Sequence, residues 1–301
     1  MKAVVIGGSG QIGNWLLKHL AERGHEGVGT YATVPTPGLE PLDAADPDAA
    51  AWVRGQKPDV IFYPAGFTWV DGCDRDPARS RAANLEQPLA IARAGAEVGA
   101  RFVYFSTDYL FDGQNGPYTE DATPRPLNEY GRGKLEAEER LADELDDQVL
   151  IARTCWVYGP ERQGKNFAYQ ALKAFKAGKT LACPSDQAAN PSYGPDVALA
   201  AILCAEVNWG GIVHLAGPDY LDRAAFARSI AAAFGMDRAG IQGVPTPEPA
   251  PGIAARPLAG GLISDRLGGY LPGVMRGVHE ALADFQGRVS AGEAPWANPL
   301  A

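Results

Sequence analysis

The stretch "KAVVIGGSGQIGNWLLKHLAERG" (residues 2–24) decides the fold. It opens on a short apolar run ending in glycines, the pattern of a strand buried on both faces of a parallel sheet. It continues with Ile12, Leu16, Leu17 and Leu20 on one helical stripe, stopped by Gly24. Between the two, Gly7, Gly10 and Gly13 stand in G-x-x-G-x-x-G spacing. Glycines there allow a tight turn and a close approach of backbone to a pyrophosphate. The helix N-terminus adds unpaired N–H groups and a favourable dipole. The position between strand and helix is what separates a dinucleotide-binding loop, with Gln11 and Ile12 inside it, from a structural turn.

Outward from this unit the alternation repeats. "HEGVGTY" (25–31) reads as a weaker second strand, "DPDAAAWVRGQKP" (46–58) as a short helix and "DVIFYPAG" (59–66) as a buried strand. A long helix over 76–100 is interrupted near Pro88; then come a strand at 101–107, a helix with an acidic solvated face at 126–145, and a strand at 148–159 that runs into a loop. Such alternation predicts right-handed βαβ crossovers, and so an α/β chain with a Rossmann-type, doubly wound parallel sheet. After residue 158 the pattern loosens, and "VPTPEPAPG" (244–252) is a proline-rich loop. Residues 1–157 are expected to form the NAD(P)-binding sheet, with 191–217 returning to it. Residues 158–190 and 218–301 are expected to form a smaller C-terminal substrate-binding region.

Bulk properties narrow the function. The chain has 301 residues and a net charge of −9, with no basic run, which speaks against a nucleic-acid surface. Four scattered cysteines make no C-x-x-C, and four histidines make no H-E-x-x-H, so no metal site is expected; reduced thiols fit a cytoplasmic protein. Residues 1–10 are too short a lead for a signal segment, and no apolar run approaches a membrane span of ~18 residues.

"NEYGRGK" (128–134) sets Tyr130 one helical turn ahead of Lys134, on the same face. A fixed ammonium lowers the pKa of a neighbouring phenol, so the pair reads as a general acid with its tuner. Taken alone it reads first as a surface tyrosine above a solvated lysine. The end of the second strand, "VGTYAT" (28–33), carries neither an acid for a ribose 2′-OH nor an arginine for a 2′-phosphate. Thr30 and Tyr31 are the candidates beside the ribose, and with no carboxylate to repel a phosphate, NADP(H) is favoured over NAD(H). Asp43 either contacts the adenine or caps the following helix.

"STDYLFDG" (106–113), "PLNEYGRGKLEAE" (126–138) and "ARTCWVYG" (152–159) resemble the dTDP-4-dehydrorhamnose reductase branch of the extended short-chain dehydrogenases/reductases. "GFTWVDGCDRDPARSRAANLEQPLAIA" (66–92), "SDQAANPSYGPDVA" (185–198) and "ARPLAGGLISDRL" (255–267) extend the likeness, in order, from about residue 2 to residue 285. The resemblance implies that Tyr130 protonates the carbonyl oxygen of a nucleotide-linked 4-keto-6-deoxy sugar as hydride arrives. It implies that Lys134 holds the nicotinamide ribose and lowers the pKa of Tyr130, and that Thr107 hydrogen-bonds the same oxygen. A strand-end hydroxyl that satisfies a turn is the other reading of Thr107. Trp156 would lie against the sugar or serve as core. Thr68, Val70 and Asp108 would line the substrate pocket, Ala65 and Gly66 would face the cofactor, and Asn84 would support Lys134 through water.

Departures surround the pocket. Tyr63 stands where the family usually has Asn, Trp69 where a small residue is common, and Ser192 where Thr is expected. Some members dimerise through Mg²⁺-holding glutamates; Trp15 occupies the first such position, so a homodimer here would be of another kind. Two other functions compete. One is a non-catalytic subunit like the regulatory subunit of methionine adenosyltransferase, against which the Thr107, Tyr130, Lys134 set counts. The other is a sister epimerase or dehydratase, against which Tyr109 counts, because dehydratases want an Asp-Glu pair after the threonine.

Overall fold

A computed structural model describes residues 1–292; the tail of the expected C-terminal region, 293–301, lies outside the described residues. The first half of the chain runs β1 (Lys2–Val5), α1 (Gln11–Glu22), β2 (Glu26–Tyr31), β3 (Glu40–Pro41), α2 (Ala49–Gln56), β4 (Val60–Tyr63), α3 (Val70–Arg75), α4 (Pro77–Arg81), α5 (Gln87–Ala96), β5 (Arg101–Thr107), α6 (Glu129–Leu145) and β6 (Val149–Thr154). The second half gives β7 (Val157–Tyr158), α7 (Phe167–Lys176), β8 (Leu181–Pro184), β9 (Ala188–Ala189), β10 (Ser192–Tyr193), α8 (Gly194–Glu206), β11 (Gly211–His214), β12 (Leu221–Asp222), α9 (Arg223–Ala233), β13 (Ile241–Val244), α10 (Asp265–Tyr270) and α11 (Val278–Ala291).

Seven strands form one sheet in the order β11-β6-β5-β4-β1-β2-β3, every neighbouring pair parallel. The two-residue period divides each strand between two cores. Val5, Phe62, Phe105 and Ala152 meet α1 and α8 through Trp15, Leu16, Val197 and Ala201. Val4, Ile61, Phe102 and Ile151 meet α2, α5 and α6 through Val53, Leu89 and Leu141. Strand order reverses between β1 and β4. In open α/β sheets that switch point leaves a crevice beyond the strands' carboxyl ends, and here it is lined by the loops after β1 and β4.

Two features of this half bear on the site. The long helix over 76–100 breaks ahead of Pro88, not at it: Ala82–Glu86 form a π-helical turn between α4 and α5. In a regular helix the residue-88 nitrogen would donate to the Asn84 carbonyl, but proline has no N–H. The freed carbonyl accepts the Tyr104 hydroxyl at 2.8 Å. On α6 the acidic face is not wholly solvated, because Glu138 is buried and receives Arg153 of β6 through contacts of 2.6–3.1 Å. Breaking such a buried pair costs about 3–5 kcal/mol, so it ties α6 firmly to the sheet.

The later segments build a second layer beside the sheet. Tyr158, Tyr169, Phe226 and Phe285 pack β7, α7, α9 and α11 together, while β8 pairs with β13 and β9 with β12. The proline-rich loop is clamped back onto α3. Arg75 donates to the Gly252 carbonyl at 2.7 and 3.1 Å, and Asp71 accepts from the Ala254 N–H at 3.0 Å and from Arg256 at 2.8 Å.

Candidate active site

The cofactor end of the site is made by backbone geometry. Gly7 adopts φ +92°, where a side chain would be strained. Gly13, in the first turn of α1, leaves no room for a methyl group: a Cβ there would meet the Gly7 carbonyl oxygen at 2.2 Å. The first turn of α1 is thereby folded tightly onto the loop, with its N–H groups at the crevice. Among the described residues no side chain caps α1, and the buried Gln11 Nε2 has no hydrogen-bond partner. Open N–H groups at a helix start suit a pyrophosphate, so the residues fit a dinucleotide.

The crevice widens into a cavity of about 1000 Å³. Gly7, Gly10, Gln11, Ile12, Gly13, Asp43, Ala65 and Gly66 line it toward the cofactor end; Thr68, Val70, Thr107, Asp108, Tyr130, Lys134 and Trp156 line it toward the other. Thr30 does not. It is buried under the loop, where its hydroxyl accepts from the Gly7 N–H at 3.2 Å and donates to the Val5 carbonyl at 3.4 Å. Ala32 and Thr33, just past the end of β2, line the cavity instead. Asp43 does not cap α2 either. It closes a turn by accepting from the Ala45 N–H at 2.9 Å, and Asp48 stands at the helix start.

Tyr130 and Lys134 sit in the first turns of α6, which begins where the Asn128 side chain accepts from the Gly131 N–H at 2.9 Å. They are 8 % and 3 % exposed, so neither is a solvated surface group. Burial changes their expected electrostatics. It lifts the Tyr130 phenol well above its ordinary value, opposed by the Thr107 hydroxyl, so the expected lowering by Lys134 does not prevail. Burial also brings the Lys134 ammonium down to about 7, against the attraction of Glu138 and Cys73. Lys134 Nζ donates to the Phe105 carbonyl at 2.8 Å and lies 4.3 Å from the centre of the Tyr104 ring. Thr107 lines the cavity, and its hydroxyl accepts from the Tyr109 N–H at 3.2 Å, the turn contact of its second expected reading.

Trp156 holds its indole at the substrate end from a backbone φ of +41°, a strained value for a bulky residue. The Arg223 guanidinium stacks on that ring at 3.4 Å from its centre. Asp108, buried in the same region, has its carboxyl raised to about 6 by burial, partly offset by the Gly261 N–H and by Arg223. At the rim, Trp69 is 56 % exposed and meets Phe67 edge-on.

Compared with known proteins, the sequence matches the RmlD substrate binding domain family over residues 1–288. The chain belongs to that family. The dTDP-4-dehydrorhamnose reductase of Mycobacterium tuberculosis (strain H37Rv) is 30 % identical over 83 % of this chain and 82 % of its own. The probable low-salt glycan biosynthesis reductase Agl14 of Haloferax volcanii is 30 % identical over 79 % and 81 %. Among solved structures, a hypothetical dTDP-4-dehydrorhamnose reductase from Sulfolobus tokodaii superposes with a TM-score of 0.81 at 32 % identity, covering 90 % of this chain and 95 % of that one. The Bacillus anthracis dTDP-4-dehydrorhamnose reductase in complex with NADP superposes with 0.84 at 27 % identity, over 95 % and 99 %. This RmlD-type member is an NAD(P)-dependent oxidoreductase with a reductase-like function, and its fold is the Rossmann-type sheet expected from residues 2–24.

Within this family member, the departures read from sequence have distinct surroundings. Tyr63 lines the cavity, yet its buried hydroxyl has no partner among the described residues. Ser192 is fully buried and links the Asn190 carbonyl to the Gly217 N–H at 3.0 and 3.2 Å, behind the cavity-lining Cys155. Trp15 points inward and donates to the Pro160 carbonyl at 2.9 Å. Gly66 is small for a reason internal to the protein: a Cβ there would come within 2.9 Å of the Asn84 Oδ1. Asn84 uses its side chain on the Phe67 backbone, at 3.0 Å in both directions. Sequence reasoning missed Arg223 and Tyr104. Arg223 carries no motif, and Tyr104 is one apolar-looking position of a buried strand.

Proposed function

We propose that this reductase reduces the 4-keto group of a nucleotide-linked 6-deoxy sugar, with dTDP-4-dehydrorhamnose as the first substrate to test and NADPH as the preferred reductant. The observation that carries the proposal is that Thr107, Tyr130 and Lys134 line the same cavity as the glycine loop. The two reductases matched above, from Mycobacterium and Bacillus, bear the corresponding names, and the second was solved with NADP. The absence of a carboxylate at Tyr31–Thr33 supports NADPH. Four buried, unpaired cysteines agree with a reducing cytoplasm. Arg79 and Lys165 also line the cavity and give a nucleotide diphosphate its cations.

When bound, the nicotinamide supplies hydride to the carbonyl carbon. Tyr130 keeps its proton because burial disfavours the phenolate, so it meets the ketone as a donor. Its proton passes to the carbonyl oxygen as negative charge develops there. The Thr107 hydroxyl supplies a second donor aimed at the same oxygen. Lys134, when charged, stabilises the phenolate left on Tyr130. Trp156 offers an apolar face to the ring of the sugar.

The test is oxidation of NADPH and of NADH, followed at 340 nm, with dTDP-4-keto-6-deoxy-L-mannose. Turnover with NADPH supports the proposal. Tyr130→Phe is expected to lower kcat by about a thousandfold while leaving cofactor affinity near wild type. Wild-type turnover in that variant would remove Tyr130 as the proton donor.

A further inference from the structure

Lys134 has one hydrogen-bond acceptor among the described residues, the Phe105 carbonyl. An ammonium has three donors, and this one is almost fully buried. Such a cation needs compensation from its surroundings. The resemblance put a water on Asn84 in that role. Here the Asn84 side chain is taken up by the Phe67 backbone, and its main-chain carbonyl accepts the Tyr104 hydroxyl at 2.8 Å. The carbonyl is available because Pro88 cannot donate to it, and the π-helical turn at Ala82–Glu86 lies on the same stretch. Tyr104 is itself fully buried in β5, anchored at its hydroxyl, with its ring 4.3 Å from Lys134 Nζ.

We infer that Tyr104 is a positioning residue of the reaction: its ring holds the Lys134 ammonium charged and in place, and its hydroxyl is fixed by the carbonyl that Pro88 leaves free. A desolvated cation near an aromatic ring gains much more than an exposed one. The charged or titratable groups facing Lys134 are Tyr130 and Glu138 on its own helix, Cys73 from α3 and Tyr104 from β5. Glu138 is already paired with Arg153, and the aromatic group against the ammonium is the Tyr104 ring. The inference rests on Lys134 acting with Tyr130 as proposed above.

The experiment is the pH dependence of kcat in wild type, Tyr104→Phe and Tyr104→Leu, together with NADPH affinity from nicotinamide fluorescence. Loss of the ring makes the ammonium easier to deprotonate, so Tyr104→Leu is expected to move the alkaline limb down by about one pH unit. Tyr104→Phe keeps the ring and is expected to leave the limb in place, with a lower melting temperature from the lost hydroxyl bond. A folded Leu variant with the wild-type limb overturns the inference, and so does a Phe variant that shifts as far as Leu. If the Leu variant does not fold, Tyr104→Met, which also removes the ring, takes its place: a limb moved down supports the ring's role and a wild-type limb overturns it. Failure of the underlying reading is separate, because it would appear as wild-type turnover in Lys134→Met.

Discussion

The two ends of the cavity are built by different means. At the cofactor end the surfaces are backbone: a loop at φ +92°, a helix start with open N–H groups, and a glycine pressed onto a carbonyl. All of it comes from residues 7–13. At the substrate end the surfaces are side chains brought from far apart: Trp156 on Arg223, and Asp108 on the Gly261 N–H. A local motif fixes the first end, and only the completed fold assembles the second. The first should therefore fail through single backbone contacts and the second through side chains that act in pairs.

Of the changes that probe this division, the largest loss of cofactor affinity is expected at Gly13. An alanine there places its Cβ 2.2 Å from the Gly7 oxygen and 2.9 Å from the Gly8 Cα, both backbone, so the loop must move. NADPH affinity, measured by nicotinamide fluorescence, should fall at least about a hundredfold, the cost of roughly 3 kcal/mol. Gly10→Ala sharpens the contrast. Its Cβ would approach the same oxygen only to 3.2 Å, so a loss of less than about tenfold is expected. Equal losses for the two glycines would mean that the tight packing at Gly13 is not what shapes this end.

The same division explains what the sequence disclosed. The sheet, its parallel order and the glycine loop were legible because each depends on periodicity within a few residues. Tyr130 and Lys134 were legible as a pair because one helical turn separates them, but their burial was not, and burial reverses the expected shift on Tyr130. Thr30 was misplaced because strand alternation alone did not show on which side of the loop its hydroxyl lies; it holds the loop from beneath. The break near Pro88 was visible, but its place in a π-helical turn ahead of the proline was not, nor was the bond from that turn's Asn84 carbonyl to Tyr104 on β5. Arg223 was invisible for the same reason.

Arg223 tests the substrate end. Its guanidinium covers one face of Trp156, also lies 4.8 Å from the Phe167 ring centre, and is drawn down to about 10 by burial. Arg223→Ala is expected to raise KM for the nucleotide sugar about tenfold, the worth of one desolvated cation–π contact, and to leave NADPH affinity unchanged. Arg223→Lys should not restore it, because an ammonium cannot stack flat. A parallel loss of NADPH affinity would erase the distinction between the two ends.

The smallest effect lies where the ends meet, at Lys134. In the folded chain its ammonium titrates near 7, in the unfolded chain near the ordinary lysine value of about 10.4. Between those values the unfolded chain binds more protons, so stability rises with pH. At full separation the slope is about 1.4 kcal/mol per pH unit. Urea unfolding of wild type and Lys134→Met at pH 7, 8 and 9 isolates this contribution, because the other lysines cancel in the difference. Wild type should gain on the variant by about 1 kcal/mol between pH 8 and pH 9. A flat difference would mean that Lys134 keeps its proton through this range, and the Tyr104 ring together with Glu138 would then outweigh burial.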